Sequence, residues 1–456
     1  MRVTASSCAW LLLCGLLSSA IAAEPNDRLV VYTGATLIDG TGAEPKRDVA
    51  VVTRGERIEA ILPARGYVAP EGSEVVNVAG RYVVAGLINS HVHYALPPQR
   101  KFSEAMMRRA IYGGVTAVRS MGDDVRALAD LARAARVGEI DGPDIYYAAF
   151  FAGRDFFADA RLVSASQGAT AGAVPWQQAI DEKTDLATAV TLARGTGAVG
   201  IKIYANLSAP LVKRIVDEAH RQGMKAWAHS MVFPATPLEV AEAGPDVMSH
   251  VGYLGYQAVE ERPSRYQDRE KFILDPARFT DGPDEQLLAL FRKMREKRII
   301  LDATNYVFHT IERMRERNLE DAPPPPYCTS ALAELLCAQA HRHGILISAG
   351  TDSFSEREDP YSALQSEAEI LVRKVGMTPM EALRSATIIS AMTIGQEKEM
   401  GTIEPGKLAN FVFLSTDPLA DIGALRNVTL TVKRGVQYPR DRYRPVTEDE
   451  VEGRPL

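Results

Sequence analysis

The sequence predicts an α/β protein built on a (β/α)8 barrel, and three observations carry that reading. Eight apolar runs of strand length recur through the middle of the chain. Each is followed by a stretch with helical periodicity, while both ends read as short strands separated by Gly and Asp clusters. Eight strand–helix units with buried-type strands mark a parallel barrel. A doubly wound open sheet is the alternative that the same pattern admits.

The elements follow in order. Residues 1–23 carry one charge, Arg2, then an apolar run from Cys8 to Leu17 and small residues around Ala20 and Ala22, the pattern of a secretory signal peptide. The apolar run is shorter than the roughly 20 residues a spanning helix needs. Export to the periplasm or the medium is therefore expected, with no membrane contact after signal removal. Residues 24–85 are strand-like, as in Leu29-Val30-Val31-Tyr32 and Val49-Ala50-Val51-Val52. The eight barrel runs are Tyr82–Ile88, Val115–Ser120, Asp144–Phe151, Gly200–Tyr204, Met224–His229, Asp246–His250, Ile299–Thr304 and Ile345–Ala349. Amphipathic segments such as Leu128–Val137, Ala209–Gln222, Glu285–Glu296 and Ser330–His343 lie between them. Strand texture returns after residue 396, at Asn410–Leu414 and Val428–Val432. Long connections after the third strand (about 153–183), the sixth (about 253–284) and the seventh (with Pro323–Pro326) should wall a pocket, because loops after strands form the catalytic face of a barrel.

Charge and cysteine content narrow the function classes. The net charge is −6, one unit more negative without Arg2, and no basic block occurs. Nucleic acid and anionic membrane surfaces are thus poor partners. A small-molecule substrate is expected and, in a homo-oligomer, further copies of the chain. Behind the signal only Cys328 and Cys337 remain. On one helix they would stand about 13 Å apart along the axis, so a disulfide requires Cys328 to lie outside the helix holding Cys337.

Polar residues collect where barrel chemistry occurs. His91 and His93 close the first strand two residues apart, on one face of an extended chain. Lys202 sits between β-branched neighbours in the fourth run, where a bare ammonium is expensive to bury. One solution is carboxylation of the amine, which makes it an oxygen donor able to bridge two metals. His229, His250 and Asp352 end the fifth, sixth and eighth runs. Each alone reads as a polar strand terminus. Together the six form a donor set suited to zinc, manganese or iron. His309, after the seventh strand, is placed to touch substrate, whereas His220, His341 and His343 read as ordinary helix or surface residues.

With these residues in view, the chain resembles the amidohydrolase superfamily, in its imidazolonepropionase-like and prolidase-like branch. Gly86-Leu87-Ile88-Asn89-Ser90-His91-Val92-His93, Gly114-Val115-Thr116-Ala117-Val118-Arg119 and Ile201-Lys202-Ile203 resemble its strand motifs, and Met377–Thr387 with Gly401–Asn410 resembles its closing motif. The resemblance implies that residues 24–85 and 396–456 join in one composite β-sandwich beside a barrel of residues 86–395. It implies two divalent ions, zinc by preference. His91, His93 and Asp352 would hold one, His229 and His250 the other, and carboxylated Lys202 would bridge them. Asp352 would also be the catalytic proton carrier. The implied reaction is hydrolysis of a C–N acyl bond, as in an N-acyl amino acid or a dipeptide. Arg154 is the candidate for the substrate carboxylate, with Tyr204 and Tyr253 beside it, ordinary loop packing being the alternative.

Departures from the pattern bear on substrate. Met231 stands two residues past His229, where prolidase-like members place His or Tyr, and Ser353–Arg357 replaces their Pro-His-Gly. A mononuclear deaminase or cyclic-amide hydrolase of the same superfamily is the first rival. The deaminase would want Glu where Val232 stands and would have no use for Lys202. A non-catalytic scaffold is the second rival, and it would be expected to lose ligands.

Overall fold

The computed structural model describes residues 28–317 and 327–453. The expected signal segment and the Pro323–Pro326 run lie outside these. Among the described residues no helix is long and apolar enough to cross a membrane.

Both chain ends build one eight-stranded sheet. The N-terminal strand Tyr82–Ala85 pairs in parallel with Leu29–Ile38 and antiparallel with the C-terminal Phe411–Leu414, which continues the sheet through Val428–Lys433 to Val436–Pro439. Alternation decides which core each side chain joins. Val83, Ala85, Phe411 and Phe413 pack with Tyr32 and Leu37 in the sheet's own core, while Val84, Val412 and Leu414 face the barrel core.

The barrel strands are Leu87–Val92, Val115–Ser120, Asp144–Gly153, Gly200–Ile203, Lys225–His229, Val247–Ser249, Ile300–Asp302 and Ile347–Ser348, each parallel to the next. A hydrogen bond from Ser90 N to Ala349 O, 3.0 Å, joins the last strand to the first. Helices cover the outside. Ala209–Arg221, for example, buries Leu211, Val212, Ile215, Val216 and Ala219, the spacing of one helical stripe.

The structure corrects one expectation and decides one open point. The run Tyr82–Ile88 is two strands: it breaks at Gly86, where the chain leaves the composite sheet and enters the barrel. A Cβ on Gly86 would stand 2.3 Å from Thr116 Oγ1, so only glycine permits this close crossing. Cys328 does precede the helix Ser330–Arg342 that holds Cys337, yet both thiols are free and buried.

The two long loops after strands three and six meet over the barrel mouth. Asn206 ties them, donating from Nδ2 to Asp155 Oδ1 (2.9 Å) and Gln267 Oε1 (3.0 Å) and accepting from Tyr266 N (3.0 Å). Arg265 adds an ion pair to Asp155 at 2.5 Å.

Candidate metal centre and substrate cavity

The ends of the strands converge on one cavity of about 360 Å³. His91, His93, His229, His250 and Asp352 all line it. His91, His93 and Asp352 offer ligand atoms that lie within 4.8 Å of one another. Asp352 Oδ1 is 3.5 Å from His91 Nε2 and 3.0 Å from His93 Nε2, and its Oδ2 is 3.7 Å from His250 Nδ1. The ring of His250 lies 4.9 Å from that of His91 and 4.7 Å from that of His229. Lys202 is fully buried in the fourth strand, in register with Trp227 of the fifth.

The backbone is bent to achieve this. His250, Thr304 and Asp352, which follow strands six, seven and eight, have φ of +72°, +52° and +47°. Such conformations cost an L-residue about 1–3 kcal/mol each and persist where the surroundings over-determine them.

A layer of hydrogen bonds orients the imidazoles. His91 Nδ1 bonds Asp302 Oδ2 at 2.6 Å, His93 Nδ1 bonds Asp123 Oδ1 at 2.6 Å, and His250 Nδ1 bonds Thr304 Oγ1 at 2.9 Å. For His91 and His93 this directs Nε2 into the cluster, the usual arrangement for a metal-binding histidine. Asp302 also accepts from Arg119 Nη2 (2.9 Å), Ser90 Oγ (2.9 Å) and Ser249 Oγ (3.0 Å). Asp123 accepts from Ser120 Oγ and Ala95 N, both at 2.8 Å.

Electrostatics follow from burial and these pairs. Burial pulls the Lys202 ammonium down to about 7, with Asp302 offsetting part of the effect. Burial would also lower His93, but the Asp123 and Asp352 carboxylates push it up to about 9. Burial likewise holds His229 and His250 well below the usual imidazole range. Lys202 Nζ and both ring nitrogens of His229 are buried without a hydrogen-bond partner. Unpaired buried polar groups are rare and each costs about 1–3 kcal/mol, a cost that metal ligation would remove. The donor set therefore fits divalent cations.

Of the residues singled out for substrate contact, Tyr204 and Tyr253 line the cavity. The Tyr204 ring sits 3.7 Å from that of His229 and the Tyr253 ring 5.4 Å from it. The structure does not bring Arg154 or His309 there. Arg154 lies on the turn Arg154–Ala158 with its side chain 77% exposed, 3.5 Å from Asp181. His309 turns outward on the helix Asn305–Glu316 and bonds Glu334 at 2.7 Å. Met231 is fully buried in the barrel core.

Sequence reasoning missed Asp302, Asp123, Tyr266, Arg161 and Arg269. Asp302 had a readable signal, for it ends the apolar run Ile299-Ile300-Leu301 as Asp352 ends its own. The others sit on loops whose paths are set by tertiary contacts.

Comparison with known proteins agrees with this geometry. The model of the amidohydrolase family matches residues 82–437. An ochratoxinase from Aspergillus niger is 25% identical over 92% of this chain and 88% of its own. An imidazolonepropionase from Symbiobacterium thermophilum is 38% identical over 16% of this chain and 17% of its own. Among solved structures, a Xaa-Pro dipeptidase with methionine in its active site superposes with a TM-score of 0.69 at 21% identity, covering 90% of this chain and all of that one.

Proposed function

The chain belongs to the amidohydrolase family and is a hydrolase acting on carbon–nitrogen bonds, and we propose that it is a binuclear enzyme cleaving the acyl C–N bond of an N-acyl amino acid or dipeptide. The observation that carries this reading is the convergence of five donors, His91, His93, His229, His250 and Asp352, on one cavity, with the buried Lys202 Nζ and both His229 ring nitrogens otherwise unpartnered. His91, His93 and Asp352 would hold one divalent cation, and His229 and His250 a second. Lys202, carboxylated on its Nζ by CO2, would bridge them. Zinc suits this imidazole-rich set. Two such ions, when bound, supply an activated water nucleophile and Lewis-acid polarisation of the carbonyl.

The chain's own groups do the rest. Asp302 and Asp123 anchor Nδ1 of His91 and His93, so both rings are oriented before substrate arrives. Asp352 is held well below the usual carboxylate range, burial being outweighed by His91, His93 and His250, and so is ionised in the resting site. Its place beside the cluster suits it to pass a proton to the leaving amine, which an amide requires. Aromatic walls, including Tyr204 and Tyr253, keep bulk water from the reacting centre. A dipeptidase among the structural relatives supports the substrate class. Val232, at the position where a deaminase would want Glu, is buried and apolar.

The test is a metal count on purified protein together with hydrolysis of N-acyl amino acids and dipeptides. Two ions per chain and release of free amine and acid are expected. One ion with release of ammonia would refute the proposal.

A further inference from the structure

One wall of the cavity carries two guanidiniums, Arg161 and Arg269, that the proposed hydrolytic chemistry does not use. Tyr266, 5% exposed, hangs from the loop after the sixth strand and is pinned by its backbone N–H to Asn206. The Arg269 guanidinium lies over its ring at 4.0 Å. Arg161, from the loop after the third strand, places Nη2 3.5 Å from the Tyr266 hydroxyl and Nη1 3.5 Å from that of Tyr204. The two phenols are 3.2 Å apart. Arg161, Tyr204, Tyr266 and Arg269 all line the cavity that also holds Asp352.

We propose that Arg269 and Tyr266, with Arg161 at the rim, bind an anionic group of the substrate, a carboxylate by chemistry, so that the enzyme selects acidic amides with an apolar body. This rests on the reading of the cavity as the amide-hydrolysing site.

Each guanidinium already has a carboxylate nearby, and the two differ in what this leaves. Arg161 spends Nε and Nη2 on Asp159, at 2.9 and 2.7 Å, and its side chain is half exposed. Arg269 is 19% exposed, gives Nη1 to the Tyr266 carbonyl at 3.1 Å, and stands 3.2 Å from Glu270 through Nη2. Among the described residues no carboxylate holds Arg269 in a two-pronged grip, which is the geometry guanidinium recognition favours. Much of the remaining lining is apolar, with Leu96, Val307, Phe308 and Ile311 among it. In cavities of this kind a few polar groups fix the ligand's orientation, and charge counts for more than in water. Glu270, which also lines the cavity, competes with an incoming anion for Arg269.

The probes are N-benzenesulfonyl-phenylalanine and its primary amide, whose sulfonamide link resists hydrolysis, titrated calorimetrically into the metal-replete protein. The acid should bind about tenfold or more tighter than the amide, the size expected of a hydrogen-bonded charge contact. Arg269→Met should abolish that preference, and Arg154→Met, on the surface, should leave it intact. Glu270→Gln should tighten the acid but not the amide, a change that a purely structural Arg269 would not produce. Should Arg269→Met fail to fold, as judged by its melt, Glu270→Gln decides alone. Equal affinity for acid and amide, no binding of either, or preference unchanged by both substitutions would overturn the inference. Hydrolysis of N-benzoyl-phenylalanine is assayed separately. Acid preference without cleavage of that amide would refute the proposed reaction and leave the anion wall standing; cleavage without preference would do the reverse.

Discussion

Replacing Asp302 by asparagine should damage both the fold and the metal centre, and the two effects can be read apart. Asp302 and Arg119 are both fully buried and 2.9 Å apart. The Asp302 carboxyl is held far below its ordinary range, burial being outweighed by His91 and Arg119. Removing one charge of a buried pair typically costs about 3–5 kcal/mol, because the other is left uncompensated. Asparagine keeps the shape and one acceptor oxygen, so the lower end, about 3 kcal/mol, is expected here. With an unfolding entropy of about 2 cal/mol/K per residue over roughly 400 residues, that corresponds to a fall in Tm of about 3–4 °C. The amide nitrogen cannot accept from His91 Nδ1, so the ring loses its fixed tautomer, and metal affinity should drop about 10- to 100-fold. Melting chelator-treated protein isolates the first effect, and metal titration measures the second. An unchanged melt of the chelator-treated protein, together with unchanged metal affinity, would refute the reasoning.

Other predictions follow from single positions. Lys202→Ala should abolish turnover, with partial rescue by acetate or propionate standing in for the carbamate; full activity without rescue would remove the bridging role. Gly350→Ala would put a Cβ 2.0 Å from Asp302 Oδ1 and 2.8 Å from His91 Cβ, and should lower the melting temperature and metal content together. Glu367 is fully buried, and burial raises its carboxyl from 4.5 to about 7 despite bonds from Asn305 and Tyr306 backbone N–H. The folded state therefore holds an extra proton between those values, and this contribution, about 3 kcal/mol at 1.36 kcal/mol per unit, is full below pH 4.5 and lost as pH rises through 7. Urea melts of Glu367→Gln should show a flatter pH dependence across that window, and an unchanged slope would contradict the assignment. Protein from the native host should begin near Ala23 or Glu24 and lie outside the cytoplasm; N-terminal sequencing that finds Met1 on cytoplasmic protein would contradict export.

What the sequence by itself determined is the part governed by local periodicity. Apolar runs of strand length followed by helical stripes suffice for the barrel, because each element must bury one face whatever its neighbours do. The candidate donors were legible for a related reason. His91, His93, Lys202, His229, His250 and Asp352 lie in or just after such runs, and the ends of parallel barrel strands converge on one mouth. Tertiary structure decided where contacts are non-local. Tyr82–Ile88 looks continuous in sequence, and its division at Gly86 between two sheets, beside the close approach of Thr116, shows only in the fold. Arg154 and Arg161 are equally plausible on a long loop. Asn206, Asp155 and Gln267 set that loop's path, leaving Arg154 to solvent and Arg161 at the cavity, near an Arg269 more than a hundred residues away in sequence. Side chains on regular strands inherit their direction from the pleat, whereas those on loops take theirs from partners that the local sequence does not name.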